Sequence, residues 1–257
     1  MPELVLLERR EQLALLTLNR PELRNALSKD LLLELQAHLS KLERDSRIRA
    51  LVLTGAGGTF SSGADLASVH KLLSSSAEEQ KRDSSLMATT LRQIYLYPKP
   101  IIAALEGAAV AGGAGLASAC DLVVASEDCK FGYSEVRLGF VAAIVGVFLI
   151  RAVGEKHAKE LLLTGKLFTA REAHRMGLVN RVVPKGNALQ EALVLAAEIS
   201  QNSSTALAAT KELLSSLYGM GLNESFTFAA TLNAWIRGTD DLREGVSAFL
   251  EKRKPNW

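Results

Sequence analysis

The sequence predicts an α/β fold with a helical C-terminal appendage. Three observations carry this expectation. Up to about residue 185, short apolar runs rich in β-branched residues alternate with stretches of helical period. Two of these runs lead into glycine-bearing segments about fifty residues apart, Thr59-Phe-Ser-Ser-Gly-Ala-Asp65 and Gly107-Ala-Ala-Val-Ala-Gly-Gly-Ala-Gly-Leu-Ala-Ser-Ala-Cys-Asp121. Beyond residue 185 only helical patterning remains.

The elements follow in order. Leu4–Leu7 and Gln12–Leu18 read as two strands around a charged turn, Glu8-Arg-Arg-Glu11. Ser28 caps a helix to about Glu43, with Leu31, Leu35, Leu39 and Leu42 on one face. A strand at Leu51–Leu53 follows. From Leu66 to about Tyr97 the chain is polar and helical, broken at Ser74-Ser-Ser76, and reads as mobile surface. Pro98 and Pro100 end it before a strand at Ile101. Leu116 starts a buried helix; Asp121–Ala125 and Lys130–Gly132 are strands. Phe140–Ile150 is apolar but ends at Arg151, too short to span a bilayer, and reads as buried. Lys156–Thr164, Ala170–Met176 and Gly186–Gln201 read as helices, and the tail from Ser203 is helical with a break at Gly219 and Gly221. Its apolar residues, among them Leu214, Phe226, Trp235 and Phe249, exceed what the main body can cover, which points to subunit contacts.

Composition narrows the class. The 257 residues, 48% hydrophobic and 23% charged, suit one large globular core. A net charge of +2 argues against bulk attraction to nucleic acid, so no nucleic-acid partner is expected. Cys120 and Cys129 make neither a CxxC motif nor a disulfide framework, so a reducing cytoplasm or organelle matrix is expected, the cytoplasm first. Met1-Pro-Glu-Leu has no export-signal character, and no membrane association is expected. His38, His70, His157 and His174 show no ligand or triad spacing, so no metal is expected.

The glycine segments carry the chemistry. A strand, a glycine-rich turn and a helix start leave backbone N–H groups without intrahelical partners. Two such units side by side aim two donors at one oxygen, an arrangement suited to an acyl carbonyl that takes up negative charge. Glycine-rich packing between strand and helix is the competing explanation, since the chemistry asks only for backbone N–H. Gly112-Gly-Ala-Gly115 lacks the Lys-Ser/Thr of a phosphate loop and the spacing of a dinucleotide fingerprint. Asp121 reads as structural, and Cys120 as a buried small hydrophobe.

With Ser134-Glu-Val-Arg-Leu-Gly139, Leu163-Thr-Gly165, Gly177-Leu-Val179 and Phe249-Leu-Glu-Lys-Arg-Lys254 added to the glycine segments, the chain resembles the enoyl-CoA hydratase/isomerase (crotonase) superfamily from Leu15 to its end. The resemblance implies a spiral of ββα units over residues 1–195 holding an acyl-CoA site, and a helical oligomerisation region over 196–257. It implies a homotrimer or a hexamer of two trimers, an acyl-CoA thioester substrate, and no cofactor beyond the CoA of that substrate. Ala64 and Gly112 match the oxyanion donors. Arg24 and Ala26 match a segment that lines CoA, Lys252 a lysine that reaches the nucleotide phosphate, Asp65 and Leu66 a stretch near the adenine pocket, and Ser62 a substrate-binding position. Tyr133 precedes the catalytic glutamate position, as an orienting or a packing residue.

The carboxylates depart from the family pattern. Typical hydratases carry two glutamates; here one position is Glu135 and the other is Gly115. The stretch Phe140–Phe148 replaces a Pro-Gly-rich one and is expected to form an apolar acyl pocket. A void at Gly115 is expected to admit a branched or glutaconyl-type substrate, and Gly115→Glu to raise activity on a straight chain. The leading reading is a 2-enoyl-CoA hydratase with Glu135 as acid/base. Its rivals are a Δ3–Δ2-enoyl-CoA isomerase, for which one carboxylate suffices, and a non-catalytic acyl-CoA-binding homologue.

Overall fold

A computed structural model describes residues 3–257; Met1 and Pro2, part of the opening stretch judged for export character, lie outside the described residues. The chain begins with a hairpin, β1 (Val5–Arg10) and β2 (Leu13–Leu18), then α1 (Lys29–Glu43) and β3 (Ala50–Gly55). Next come α2 (Leu66–Leu72), α3 (Ala77–Tyr95), β4 (Ile101–Leu105), β5 (Ala108–Val110) and α4 (Gly112–Ala119). They are followed by β6 (Leu122–Ser126), β7 (Lys130–Gly132), α5 (Ala143–Thr164), β8 (Leu167–Thr169), α6 (Ala170–Arg175) and β9 (Arg181–Val183). Four helices complete the chain: α7 (Ala188–Ser200), α8 (Ser204–Leu217), α9 (Leu222–Ile236) and α10 (Asp240–Leu250).

The main sheet runs β1-β2-β3-β4-β6-β9, antiparallel at the first pair and parallel thereafter; β5, β7 and β8 form a smaller sheet. Strand periodicity divides the core. Leu16, Leu18, Leu51, Leu53, Ile101, Ala103, Leu105 and Val123 face the larger cluster with α1, α3, α4 and α5. Leu13, Leu15, Ala50, Val52, Ile102, Ala104 and Val124 face the other way, against Ala188, Ala192, Leu195 and Ala196 of α7. Small residues on α7 let this helix lie close to the sheet.

Local chemistry explains the helix starts. Ser28 Oγ accepts the Leu31 N–H, Asp65 accepts from Ala67 and Ser68, and Ser76 and Glu79 form a capping box at α3. Asp121 is structural, as expected: its carboxylate accepts the Ile101 N–H at 2.7 Å and pairs with Lys211. Cys120 and Cys129 are buried free thiols, and burial pushes the latter up to about 12.

Several boundaries differ from expectation. β1 continues through the charged residues to Arg10, and the turn is Glu11-Gln12, with Glu11 at φ 51°. An exposed edge strand tolerates charge, and Glu8 and Arg10 pair at 2.7 Å two residues apart on one face. α4 starts at Gly112 rather than Leu116, because tertiary packing overrides the poor helix propensity of glycine. α5 begins at Ala143, well before Lys156, and breaks at Gly154 (φ 74°, ψ 169°). The apolar run over 140–150 is buried only at helical spacing, at Val145, Phe148 and Leu149; Phe140 and Val141 are exposed. β8 and β9 fall between the expected helices, where no strand was assigned, and β5 lies inside the second glycine segment. Each is three residues long, below what periodicity reveals. Among the described residues no helix is long and apolar enough to cross a membrane.

Candidate active site

β3 and β4 are parallel neighbours, Leu53 opposite Ala103, so both glycine segments leave the same end of the sheet. They then pair. The Ser61 N–H donates to Ala108 O at 3.1 Å, and the Val110 N–H donates to Ser61 O at 3.0 Å. The approach is close enough to require glycine. A Cβ on Gly113 would stand 2.5 Å from Ser61 O; one on Gly63, at φ +91°, would stand 2.8 Å from Val110 O.

This closeness brings the two segments into contact at Ala64 and Gly112: a Cβ on Gly112 would stand 3.6 Å from Ala64 N. Gly112 is the first residue of α4, whose first intrahelical bond runs from Gly115 N to Ala111 O. Among the described residues neither the Ala64 N–H nor the Gly112 N–H has an acceptor. Ala111 holds the corner before Gly112 at φ 50°, ψ −123°, a combination glycine favours. Its N–H donates to Gly132 O at 2.7 Å, tying the corner to β7.

A polar scaffold beneath the first segment was not anticipated. Asn25 is fully buried; its side-chain amide donates to Ala56 O and Thr59 O, and its Oδ1 accepts the Arg20 N–H. Ser61 Oγ donates to Asn25 O at 2.8 Å and accepts the Gly63 N–H at 3.2 Å. Arg24 and Asn25 are both left-handed, at φ 50° and 53°. An asparagine beside a turn was the available signal, since asparagine tolerates that conformation and can satisfy three backbone groups at once.

The expected ligand-lining residues divide. Arg24, Ala26, Ser62 and Leu66 gather around the first glycine segment: the Ser62 N–H donates to Arg24 O at 2.9 Å, and Leu27 bridges Ala64. Asp65 belongs to the scaffold. Its carboxylate pairs with Arg20 at 3.0 Å and caps α2, while Arg20 also donates to Ala26 O. Burial pushes the Asp65 carboxyl up, and the Arg20 guanidinium and helix N–H groups outweigh it, leaving it below the usual range. Phe140 is 64% exposed, so the apolar stretch does not close a pocket at that residue. Lys252 is exposed past α10, with no hydrogen bond to the segments bearing Ala64, Gly112 or Glu135 among the described residues. Grooves of about 430 and 310 Å³ flank Leu96-Tyr97-Pro98, away from those segments.

Glu135 opens a 3-10 turn after β7. Its Oε2 is buried without a partner, and burial raises the carboxyl above the ordinary 4.5 of a glutamate. Tyr133, fully buried two residues earlier, shares a 2.8 Å hydrogen bond with Ser118 of α4; Ser118 in turn donates to Ala114 O. Burial, with Glu135 adding to it, pushes the Tyr133 phenol up and keeps it neutral. The strand end bearing the glutamate is thereby fastened to the helix bearing Gly112.

The void expected at Gly115 does not exist. A Cβ there would overlap Val145 Cγ1 and stand 2.6 Å from Val145 Cβ. Val145 of α5 is 4% exposed and fills the space. The same overlap reverses the expectation for Gly115→Glu, which would need α5 to move.

The described residues thus hold two backbone N–H groups without acceptors, at Ala64 and Gly112, and a half-buried carboxylate, Glu135, whose Oε2 has no partner. The family model described as "Enoyl-CoA hydratase/isomerase" matches residues 8–257, and the chain belongs to that family. A Thermus thermophilus protein, provisionally named an enoyl-CoA hydratase, is 54% identical over 95% of this chain and 96% of its own. The crotonyl-CoA hydratase of Syntrophomonas wolfei is 37% identical, covering 99% and 98% of the two chains. The crystal structure of an enoyl-CoA hydratase from Polaromonas superposes with a TM-score of 0.94 at 33% identity, covering 98% of each chain.

Proposed function

We propose that this protein is a hydratase that adds water across the double bond of a 2-enoyl-CoA thioester. The reading is supported by two acceptor-free N–H groups, Ala64 and Gly112, and by Glu135, whose Oε2 is buried without a partner on a strand end that the Tyr133–Ser118 hydrogen bond fastens to the helix of Gly112. The thioester oxygen sits between the two donors. The ionised Glu135 takes a proton from water as the water oxygen bonds to Cβ. The π electrons move toward Cα and the carbonyl, and the two N–H groups hold the enolate charge. Glu135 then returns the proton to Cα, so H and OH are both delivered and the carboxylate is regenerated. No cofactor takes part beyond the CoA of the substrate.

The relatives favour a linear acyl group. The Syntrophomonas protein is named for crotonyl-CoA and an Escherichia coli relative, 37% identical, for 2,3-dehydroadipyl-CoA. A branched or glutaconyl-type substrate rested on space at Gly115, and Val145 occupies that space.

Assembly is part of the reading. The division into a core (1–195) and an oligomerisation region (196–257) is supported by α9, which buries no residue within the chain. A homotrimer, alone or stacked as a hexamer, would cover Phe226 and Trp235 and bring Lys252 to a neighbouring CoA. The two buried free thiols suit a reducing, cytoplasmic setting.

The test follows the ultraviolet absorbance of crotonyl-CoA with the wild type and with Glu135→Gln. Loss of the conjugated thioester with the first and not the second is the expected result. Unchanged absorbance with wild type would refute the hydratase; a 3-enoyl-CoA converted to its 2-enoyl isomer would then assign the isomerase.

A further inference from the structure

We propose that Val145 sets the acyl specificity of this enzyme, forming with Gly115 a matched pair that turns one wall of the acyl site from carboxylate to hydrocarbon. The proposal rests on the acyl-CoA reading above, though not on hydration as the reaction.

The placement follows from helix geometry. Gly115 and Ser118 are three residues apart on α4 and therefore share a face. Ser118 meets the Tyr133 hydroxyl at 2.8 Å, so that face looks onto the segment carrying Glu135. Gly112, three residues before Gly115, carries the acceptor-free N–H. The Gly115 position thus lies between the donor that would hold the thioester oxygen and the residues beside the carboxylate. Val145 enters that position from α5, and its side chain cannot coexist with any Cβ on Gly115 in the present backbone. One residue is absent so that the other can be present.

Two consequences follow for the reaction. Gly115 brings no ionisable group to this wall, so the proton transfers of the proposed reaction fall to Glu135. The wall is a branched hydrocarbon, rigid at χ1, that leaves an acyl chain no room for a substituent on its side. The ligand class is therefore a linear, unbranched acyl thioester of CoA.

Binding of saturated thioesters, which are not turned over, reads the wall directly. Calorimetry would compare butyryl-CoA with 3-methylbutyryl-CoA on wild type and on Val145→Ala. Wild type is expected to prefer the linear thioester by about tenfold, the scale of one methyl group in a tight apolar site, and the variant to bring the two within about twofold. Equal binding of both by wild type, or a ratio unchanged in the variant, would overturn the proposal. A second measurement reads the pairing itself. Gly115→Ala is expected to lower the melting midpoint by about 6 °C in the wild-type background, and by less once Val145→Gly has cleared the space. Equal losses in both backgrounds would show that the two positions are not coupled. If both thioesters bind as expected while crotonyl-CoA is not hydrated, the hydratase reading fails and the wall stands. If wild type binds neither thioester, both fall.

Discussion

The glycine-lined centre and the C-terminal helices are built on opposite principles. In α4 every residue except Ser118 is buried, and its neighbours are held by backbone contacts too close for side chains. In α8 and α10 one residue each is buried, Ala209 and Ala248, and in α9 none. Phe249 is 82% exposed and Trp235 57%. What fastens these helices within the chain is mostly polar. Arg49 donates to Asn202 O at 2.6 Å, Ser203 to Asp241 at 2.5 Å, and the Trp257 indole to Gln201 O at 2.6 Å. The centre is thus finished inside one chain, whereas the appendage turns its apolar side chains outward, as an assembling surface does.

Four changes probe that contrast. The largest effect belongs to Glu135→Gln, which should lower kcat on crotonyl-CoA by about a thousandfold. It should also stabilise the fold at neutral pH. The folded-state carboxyl lies above 4.5, so ionising it opposes folding; the penalty is full above the raised value and vanishes below 4.5. A melting-temperature gain at pH 7 that shrinks as pH falls toward 4.5 is the expected signature, and activity should fall as pH drops through the raised value. Gly113→Ala comes next. Its Cβ meets Ser61 O at 2.5 Å, so the two donors should separate and kcat drop by about a hundredfold with KM less affected. Asn25→Ala strips three hydrogen bonds from a buried site and should cost about 3 kcal/mol in denaturant unfolding. The mildest is Phe226→Ser, 68% exposed in the chain. Sedimentation should show a smaller assembly while far-ultraviolet circular dichroism is unchanged. Were this change to unfold the chain as Asn25→Ala does, the contrast between the regions would break.

Where the sequence was readable follows the same division. Amphipathic helices with capping residues, such as α1 behind Ser28, announce themselves because period and cap agree. Glu135, Ala64 and Gly112 were singled out by the family resemblance, and the structure brings Ala64 N within 3.6 Å of where a Cβ of Gly112 would stand. The contact between Gly115 and Val145 was not legible, because the two residues lie on different helices and no local pattern connects them. Asn25 was overlooked beside Arg24 because its three partners lie at backbone atoms far apart in sequence. Asp65, expected near the adenine pocket, pairs with Arg20, 45 residues away, a contact that no local pattern announces.

Ala111 has a meaning for anyone who would engineer this protein. Its φ of 50° and ψ of −123° suit glycine, and the alanine sustains them at a penalty of roughly 1–3 kcal/mol. Ala111→Gly should therefore raise the melting temperature slightly and, by loosening the corner that aims Gly112, lower kcat. A library screened for heat resistance would collect that substitution, and one screened for turnover would discard it. The two selections pull in opposite directions at a residue with no reactive atom.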